Sequence, residues 1–286
     1  MAQAQIGIIG GSGLYQIPGI EETWEVEIDT PFGPPSAPIM VGQLNGKQIA
    51  FLARHGRGHR YLPSEVPARA NIYALKSLGV ERIVAVSAVG SLREEVHPLD
   101  LVIPDQYVDW TRGRQSTFFG RGIAVHISFE PPACPDLRAQ LHEACQRAGA
   151  RVHPHGTYIC MEGPAFSTKA ESRIYRQWGL DVIGMTAMPE AKLAREAEIC
   201  YATLALVTDY DVWHESEVGV TGEMILENMR RNIAMAQQVI REVVPMLDGV
   251  RNCPCTSALA TAIFTAPEAV SSEGRERLRL LLGKYL

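Results

Sequence analysis

Two aspartates at the end of one predicted strand could supply acid–base chemistry. Asp209 and Asp211 follow the apolar run at residues 200–207 and are separated by a single residue. Side chains two positions apart on an extended chain point to the same face, so the two carboxyl groups could act on one ligand. Aspartate is also common in turns and at helix starts, and taken alone the pair is explained better in that way.

A basic cluster follows another predicted strand and could bind an anion. Residues 54–60 contain three arginines and two histidines, Arg54, His55, Arg57, His59 and Arg60. These side chains cannot all be buried without anionic partners. A solvated loop is one explanation. The end of a strand is, however, where α/β proteins usually bind ligands, which favours a phosphate or carboxylate site.

Two more predicted strand ends carry small hydroxyl residues that could donate hydrogen bonds to the same anion: Ser12 lies in a glycine-rich turn, and Ser87 follows a Val-rich strand. At a further strand end, Thr186 or Ala187 lies near a helix start marked by Pro189, and a helix start also favours an anion. A tight turn without a ligand explains the glycine-rich segment around Ser12 equally well, and helix capping could explain Thr186. The glycine-rich turn is not a dinucleotide fingerprint, because Gln16 stands where glycine or alanine is required, and it lacks the lysine of a Walker loop.

Short Ile- and Val-rich runs alternate with longer amphipathic segments along the whole chain. Strands are predicted at residues 5–9, 24–28, 39–43, 47–53, 82–87, 101–103, 157–161, 182–185 and 200–208. Helices are predicted at residues 67–78, 136–148, 169–178, 189–196, 223–246 and 273–282. This alternation predicts one α/β domain with a mixed, mostly parallel sheet flanked by helices. We expect residues 1–250 to form it and residues 251–286 to be a tail and helix packed on the same domain.

Composition excludes several classes of protein. The 286 residues carry 27 Lys and Arg against 32 Asp and Glu, a net charge of −5, which argues against a nucleic-acid partner. Hydrophobic residues make up 46%, enough for a full core and too many for a disordered chain. No apolar run reaches the ~20 residues of a membrane span, and the start of the chain lacks the features of a secretory signal. We therefore expect a soluble cytoplasmic protein without a membrane partner.

The cysteines are too few and too scattered for a disulfide scaffold. They are Cys134, Cys145, Cys160, Cys200, Cys253 and Cys255. Only Cys253 and Cys255 are close in sequence. Two tail cysteines without a special role is the favoured interpretation. A disulfide between them is the alternative, and zinc has the least support because no second CxxC or HxxxH accompanies the pair.

Six motifs, taken in order, resemble those of the trimeric purine nucleoside phosphorylases, most closely the 5′-methylthioadenosine phosphorylase branch. They lie at residues 8–13, 53–56, 90–94, 162–167, 185–190 and 208–211. The similarity covers roughly residues 5–246 and becomes less clear after residue 250. The resemblance implies a homotrimer, and it leaves open whether two trimers pair.

The resemblance implies phosphorolysis, in which inorganic phosphate is a co-substrate and neither a metal nor another cofactor is needed. Phosphate attacks C1′ of the ribose through an oxocarbenium-like state, and adenine leaves without a covalent enzyme intermediate. The implied phosphate ligands are Ser12, Arg54, His55, Ser87, the backbone at Ala88, and Thr186. The family often has threonine where Ser12 and Ser87 stand, and either hydroxyl can donate.

The same resemblance places the nucleoside. The implied contacts are Phe166 on the purine, Ser167 beside it, Met185 at the ribose, and Thr208, Asp209 and Asp211 at the base. One aspartate must be protonated to donate to purine N7, which a neighbouring carboxylate makes possible by raising its pKa. An acceptor carboxylate suits the N6 donor of adenine, whereas a 6-oxopurine prefers an amide.

The 5′ pocket is implied at Gly222, Ile225 and Leu226, with His126 nearby. Ile225 and Leu226 also lie on the core stripe of the predicted helix, so packing explains them too. Gly222 stands where the family has an apolar side chain, and this could enlarge the pocket and relax the selection for the methylthio group.

The alternative enzyme is a phosphorylase of 6-oxopurine nucleosides or methylthioinosine. A non-catalytic nucleotide-binding regulator is disfavoured by the intact aspartate pair and phosphate set, and a dinucleotide dehydrogenase by the residue at position 16.

Overall fold

The computed structural model describes residues 4–11, 14, 17–214 and 222–286, except for the side chains of residues 222–226. The strands are β1 (Ile6–Gly10), β2 (Glu21–Val26), β3 (Ile39–Leu44), β4 (Lys47–Ala53), β5 (Arg82–Ser91), β6 (Leu101–Val102), β7 (Gln106–Trp110), β8 (Val152–His153), β9 (Thr157–Met161), β10 (Val182–Gly184) and β11 (Cys200–Tyr210). The helices are α1 (Ala68–Ser77), α2 (Pro135–Arg147), α3 (Lys169–Gln177), α4 (Ala187–Glu196), α5 (Gly222–Met246), α6 (Ser272–Arg277) and α7 (Arg279–Leu282).

The sheet brings together strands that are far apart in the sequence. Its strand order is β2-β3-β4-β1-β5-β10-β9-β7, and β11 pairs with both β5 and β6. Neighbours β4, β1, β5 and β11 run parallel, so their carboxyl ends meet along one edge. The outer pairs β2–β3 and β3–β4 are antiparallel. The predicted fold class, one α/β domain with a mixed, mostly parallel sheet flanked by helices, is confirmed.

Helices cover both faces of this sheet because its central strands are apolar on both sides. In β11, Tyr201 and Ala205 pack into the core cluster that contains residues of α1 and α4. Ala202 and Leu204 pack into the cluster on the opposite face, with α2 and α5. Such two-sided burial is typical of strands in a parallel sheet.

Every predicted strand overlaps one in the structure, but two strands of the structure were not predicted. β7 reads Gln-Tyr-Val-Asp-Trp and is mostly half-buried at the sheet edge, so it has no apolar run. β8 is only two residues long. The last predicted helix is divided into α6 and α7 at Leu278, which ends one helix and begins the next. Among the described residues, no helix combines the length and apolarity that crossing a membrane requires.

The C-terminal segment, residues 251–286, is held by one buried carboxylate. Glu198 accepts hydrogen bonds from the Leu259 N–H, at 3.1 Å, and from the Tyr285 hydroxyl, and it forms an ion pair with Lys284. Val125 and Ile263 add an antiparallel bridge between this segment and the loop before α2.

Glu196 gives the fold a specific pH dependence. This carboxyl group is 4% exposed, accepts from the Thr117 hydroxyl and the Phe118 N–H, and has its pKa raised by burial to about 7. Between pH 4.5 and 7 the folded protein keeps a proton that the unfolded chain releases. The free energy of unfolding should therefore fall as pH rises, by about 3 kcal/mol over this window.

A Glu196→Gln variant is expected to lose this dependence and to be more stable than the wild-type protein at pH 8. Urea unfolding at fixed protein concentration, at several values of pH from 5 to 8, measures the effect. Glu143→Gln is the control, because Glu143 is exposed on α2. Parallel pH profiles for the Glu196 variant and the wild-type protein would contradict the assignment.

Candidate active site

Two hydroxyl groups predicted to bind phosphate lie side by side. The Oγ of Ser87 on β5 lies 2.9 Å from the Oγ1 of Thr186, which precedes α4. Thr186 occupies the N-cap position but makes no side-chain capping bond, so the capping explanation is not supported. Ala88, which follows Ser87 in β5, is exposed. The hydroxyls of Ser87 and Thr186, with Ala88 next to Ser87 in the chain, form one polar surface toward the carboxyl end of β5.

Tyr158 on β9 supports these hydroxyls, although the sequence offered no sign of its role. Its hydroxyl lies 3.2 Å from the Oγ of Ser87 and accepts from the Thr186 N–H at 3.4 Å. Burial raises the pKa of Tyr158 to about 12, so it remains a neutral donor. Gly184 makes the approach possible, because a Cβ atom at this position would lie 2.0 Å from the tyrosine oxygen.

A Tyr158→Phe variant should bind phosphate more weakly because Ser87 and Thr186 lose a shared partner. One neutral hydrogen bond contributes about 1 kcal/mol, so the phosphate KM should rise by about fivefold. Tyr107→Phe is the matched control, since its hydroxyl bonds Thr203 at 2.9 Å elsewhere in the core. Steady-state kinetics with varied phosphate measures both variants, and equal phosphate KM values in the two would argue against the role of Tyr158.

Arg54 is buried and already has an anionic partner. Its Nε donates to one carboxylate oxygen of Glu190 at 2.5 Å, and one terminal nitrogen donates to the other oxygen at 3.1 Å. The second terminal nitrogen donates to the Val86 carbonyl. Burial acts to lower the pKa of Arg54, but the Glu190 carboxylate more than offsets this and raises it. Glu190 also accepts from the Tyr201 hydroxyl at 3.1 Å. The sequence motif included Glu190 without indicating this function.

His55 is uncharged at neutral pH, so this part of the site is less cationic than the basic cluster indicated. Burial lowers its pKa to about 4, and nearby Arg54 acts in the same direction. Its Nδ1 lies 2.9 Å from the Tyr61 carbonyl, to which it must donate. The neutral ring then carries its free lone pair on Nε2. Of the other basic residues, Arg57 is exposed and pairs with Glu25, and Arg60 lies over the Tyr61 ring.

The two aspartates lie against the same glycine. A Cβ atom at Gly90 would lie 3.3 Å from Oδ1 of Asp209 and 3.5 Å from the Cβ of Asp211. The Thr208 hydroxyl lies 2.5 Å from Oδ2 of Asp209 and donates to it. Oδ2 of Asp211 is buried and has no hydrogen-bond partner among the described residues. A buried carboxylate oxygen without a partner is costly, which favours a ligand that donates to it.

A register shift between Val207 and Asp209, where β11 pairs with β5, sets the position of these acids. Two asparagines on α5 hold the bulged strand. Asn232 donates to the Val207 carbonyl at 2.8 Å, and Asn228 donates to the Thr208 carbonyl at 3.0 Å. The shift lies before Asp209, and Asp209 and Tyr210 remain paired with β5, so both aspartates lie against Gly90 as their spacing on an extended chain predicts.

Arg114 fixes the segment that contains Met185. One of its terminal nitrogens donates to the carbonyls of Met185 and Met188, and the other donates to the Glu162 carbonyl. The Met185 sulfur packs on Gly163, where a Cβ atom would lie only 2.5 Å away. Position 163 has a φ of +69°, which suits glycine. Nothing in the local sequence around Arg114 indicated this function.

The remaining predicted contacts are distributed as follows. Ser167 is buried, with its hydroxyl 3.8 Å from the Met161 sulfur, whereas Phe166 is 81% exposed. His126 is exposed, and its described contacts join it to the C-terminal segment, where its ring packs on Phe264.

Four predictions lie outside the described residues. Ser12 falls in an undescribed part of the chain. Gly222, Ile225 and Leu226 fall on the first turn of α5, whose side chains are not described.

Together these residues offer two chemically different surfaces along the carboxyl edge of the sheet. Hydroxyl and guanidinium donors at Ser87, Thr186 and Arg54 suit an oxyanion. Oxygens at Asp209 and Asp211 suit a group that presents N–H donors or needs a proton. The arrangement is able to hold an anion and a nitrogenous base at the same time.

Comparison with known proteins identifies similar chains. Residues 5–245 match the family model described as the phosphorylase superfamily. The chain is 56% identical over 282 residues to the S-methyl-5′-thioadenosine phosphorylase of Geobacter sulfurreducens, which covers 98% of this chain and 99% of that protein. It is 55% identical to the protein of the same name from Koribacter versatilis, over 99% of this chain and 97% of that protein.

Solved structures agree with these sequence matches. A methylthioadenosine phosphorylase from an antarctic soil metagenomic library matches with a TM-score of 0.94 and 52% identity, covering 99% of this chain and 100% of that one. The methylthioadenosine phosphorylase of Schistosoma mansoni, solved with adenine, matches with a TM-score of 0.78 and 36% identity over 85% of this chain and 92% of that one.

Proposed function

This chain belongs to the phosphorylase superfamily, and on that premise we propose that it catalyses the phosphorolysis of S-methyl-5′-thioadenosine. Phosphate attacks C1′, the bond to N9 breaks, and the products are adenine and 5-methylthioribose 1-phosphate. The observation that carries the proposal is the similarity, over nearly the whole chain, to enzymes named for this reaction.

We propose that phosphate binds at the polar surface formed by Ser87, Ala88 and Thr186. Arg54 keeps donor N–H groups beyond those used by Glu190 and Val86, so it is able to contact an oxyanion while remaining paired. His55, neutral and with a lone pair on Nε2, suits the O–H group of hydrogen phosphate. Ser12 completes the proposed set. The bound dianion stabilises the positive charge that develops on the ribose.

We propose that Asp209 and Asp211 recognise adenine and assist its departure. One carboxyl group donates a proton to N7, and the other accepts from the N6 amino group. The unpartnered, buried oxygen of Asp211 supports an acceptor function, because adenine would supply the missing donor. A 6-oxopurine presents an acceptor at that position and would leave the carboxylate unsatisfied.

The rest of the nucleoside is assigned by the family resemblance. Met185, held through Arg114, contacts the ribose. Phe166 and Ser167 flank the purine. The 5′ group lies against Gly222, Ile225 and Leu226, with His126 nearby.

The substrate assignment is tested by measuring phosphate-dependent release of base from methylthioadenosine, adenosine and inosine. We expect the highest kcat/KM for methylthioadenosine and no cleavage without phosphate. No metal or cofactor takes part in the proposed reaction, in which inorganic phosphate is a co-substrate, so turnover should not depend on metal added to the assay. Faster turnover of inosine than of methylthioadenosine would favour a 6-oxopurine phosphorylase, and nucleoside binding without adenine release would favour a regulator.

We further propose a homotrimer that acts in methionine and purine salvage in the cytoplasm. An exposed aromatic pair supports assembly: the rings of Trp110 and Trp178 pack 5.3 Å apart while 45% and 51% exposed. Sedimentation analysis distinguishes a trimer from a monomer or a hexamer.

A further inference from the structure

Four cysteines from three distant parts of the chain meet in the interior. Cys134 lies at the N-cap of α2, Cys200 begins β11, and Cys253 and Cys255 flank Pro254 in the C-terminal segment. All four are buried free thiols. Every pair of their sulfur atoms lies within 4.8 Å, and those of Cys200 and Cys253 are 3.3 Å apart.

This arrangement matches the coordination sphere of a soft divalent cation. In a structural zinc site, four thiolates surround the ion at about 2.3 Å, which places the sulfurs about 3.8 Å from one another. One observed sulfur separation is 3.3 Å and none exceeds 4.8 Å, so each distance would have to change by no more than about 1 Å to complete the tetrahedron. We propose that Cys134, Cys200, Cys253 and Cys255 bind one Zn²⁺ ion.

The sequence argued against zinc because it showed only one closely spaced pair of cysteines. The fold supplies the other two ligands by placing the start of β11 and the start of α2 beside the C-terminal segment. Cys145, which is buried in the same apolar cluster, is not one of the four grouped sulfurs. Burial in this core is therefore not enough to bring a cysteine sulfur within 4.8 Å of the other four.

The site is structural rather than catalytic. Cys200 is the first residue of β11, and Asp209 lies close to the other end of that strand. At about 3.3 Å per residue the two are separated by roughly 30 Å. An ion at the four cysteines therefore cannot reach the nucleoside. It would instead join the C-terminal segment to α2 and β11, at a point distinct from its anchor at Glu198.

Zinc binding here requires no oxidant or reductant. The four sulfurs donate lone pairs to the ion, the thiol protons pass to solvent, and no group changes oxidation state. The resulting tetrathiolate carries two negative charges. Arg251 lies two residues before Cys253, and its guanidinium donates to the carbonyl of Glu198, two residues before Cys200. The positive charge of Arg251 is thus held close to the two chain segments that contain Cys200 and Cys253.

The proposal is tested on the full-length protein, purified under reducing conditions with zinc in the growth medium and then exchanged into metal-free buffer. Elemental analysis should find about one zinc per chain. Cys200→Ala and Cys255→Ala should each lose most of this zinc, and the matched control Cys145→Ala should keep it. Substitution of cobalt(II) into the wild-type protein should give the sulfur-to-cobalt charge-transfer and visible bands of a tetrahedral thiolate site, which keeps the test valid if an alanine variant fails to fold.

Three results would overturn the proposal. The first is a metal-free protein in which all six thiols are free, which would mean that the four cysteines only fill space. The second is a metal-free protein with fewer free thiols that reductant restores, which would mean disulfides. The third is zinc that remains in the Cys200 variant, which would place the ion elsewhere.

Discussion

An Asp209→Asn variant is expected to cleave S-methyl-5′-thioadenosine about 10²–10⁴-fold more slowly than the wild-type enzyme, the range typical of removing one general acid. An amide is able to donate a hydrogen bond to N7 but cannot transfer a proton to it. The Thr208 hydroxyl, now bonded to Oδ2 of Asp209, should help to keep the asparagine in place, so the loss should appear without unfolding. Values of kcat/KM and thermal stability, measured together, separate the two effects.

Asp211→Asn tests base recognition, because Asp211 is the proposed acceptor for the N6 amino group. We expect turnover of inosine to fall much less than turnover of methylthioadenosine or adenosine, because an amide accommodates a 6-oxopurine. Asp209→Asn provides the comparison, since both aspartates lie against Gly90 and loss of the proton donor should slow cleavage of all three nucleosides. Equal losses for all three nucleosides in Asp211→Asn would count against the selection of adenine by this carboxylate.

A Glu190→Gln variant is expected to lower the free energy of unfolding by about 3–5 kcal/mol, the usual effect of leaving one member of a buried ion pair alone. Arg54 and Glu190 are each 2% exposed, so water cannot replace the lost carboxylate. Urea unfolding measures the change. The control is Glu25→Gln, which breaks the exposed pair with Arg57 and should change stability by less than about 1 kcal/mol.

A double variant separates folding from phosphate binding at the same pair. Arg54→Met with Glu190→Leu removes both charges and fills the space with apolar groups, which usually restores most of the stability. It should nevertheless bind phosphate poorly, because the guanidinium donors are gone. A double variant with normal stability and a normal phosphate KM would exclude Arg54 from the phosphate site.

Features that depend on residues close together in the chain could be predicted from the sequence. Strands and helices follow from the alternation of apolar runs with amphipathic segments, because the backbone repeats every 2 or 3.6 residues. The aspartates at the end of β11 and the basic cluster after β4 could be assigned to one sheet edge, since parallel strands end on the same side. β7 was missed because an edge strand that is only half buried has no apolar run to mark it.

Other features depend on which distant residues the fold brings into contact, and only the tertiary structure decided them. Glu190 neutralises Arg54, and Tyr158 joins Ser87 to Thr186, across large separations in the chain. The protonation state of His55 follows from burial, which no local motif records. Thus the sequence determined which chemical groups stand at the ends of the strands, through short-range periodicity. The crossing order of the strands and the packing of the core determined how those groups are paired, charged and buried.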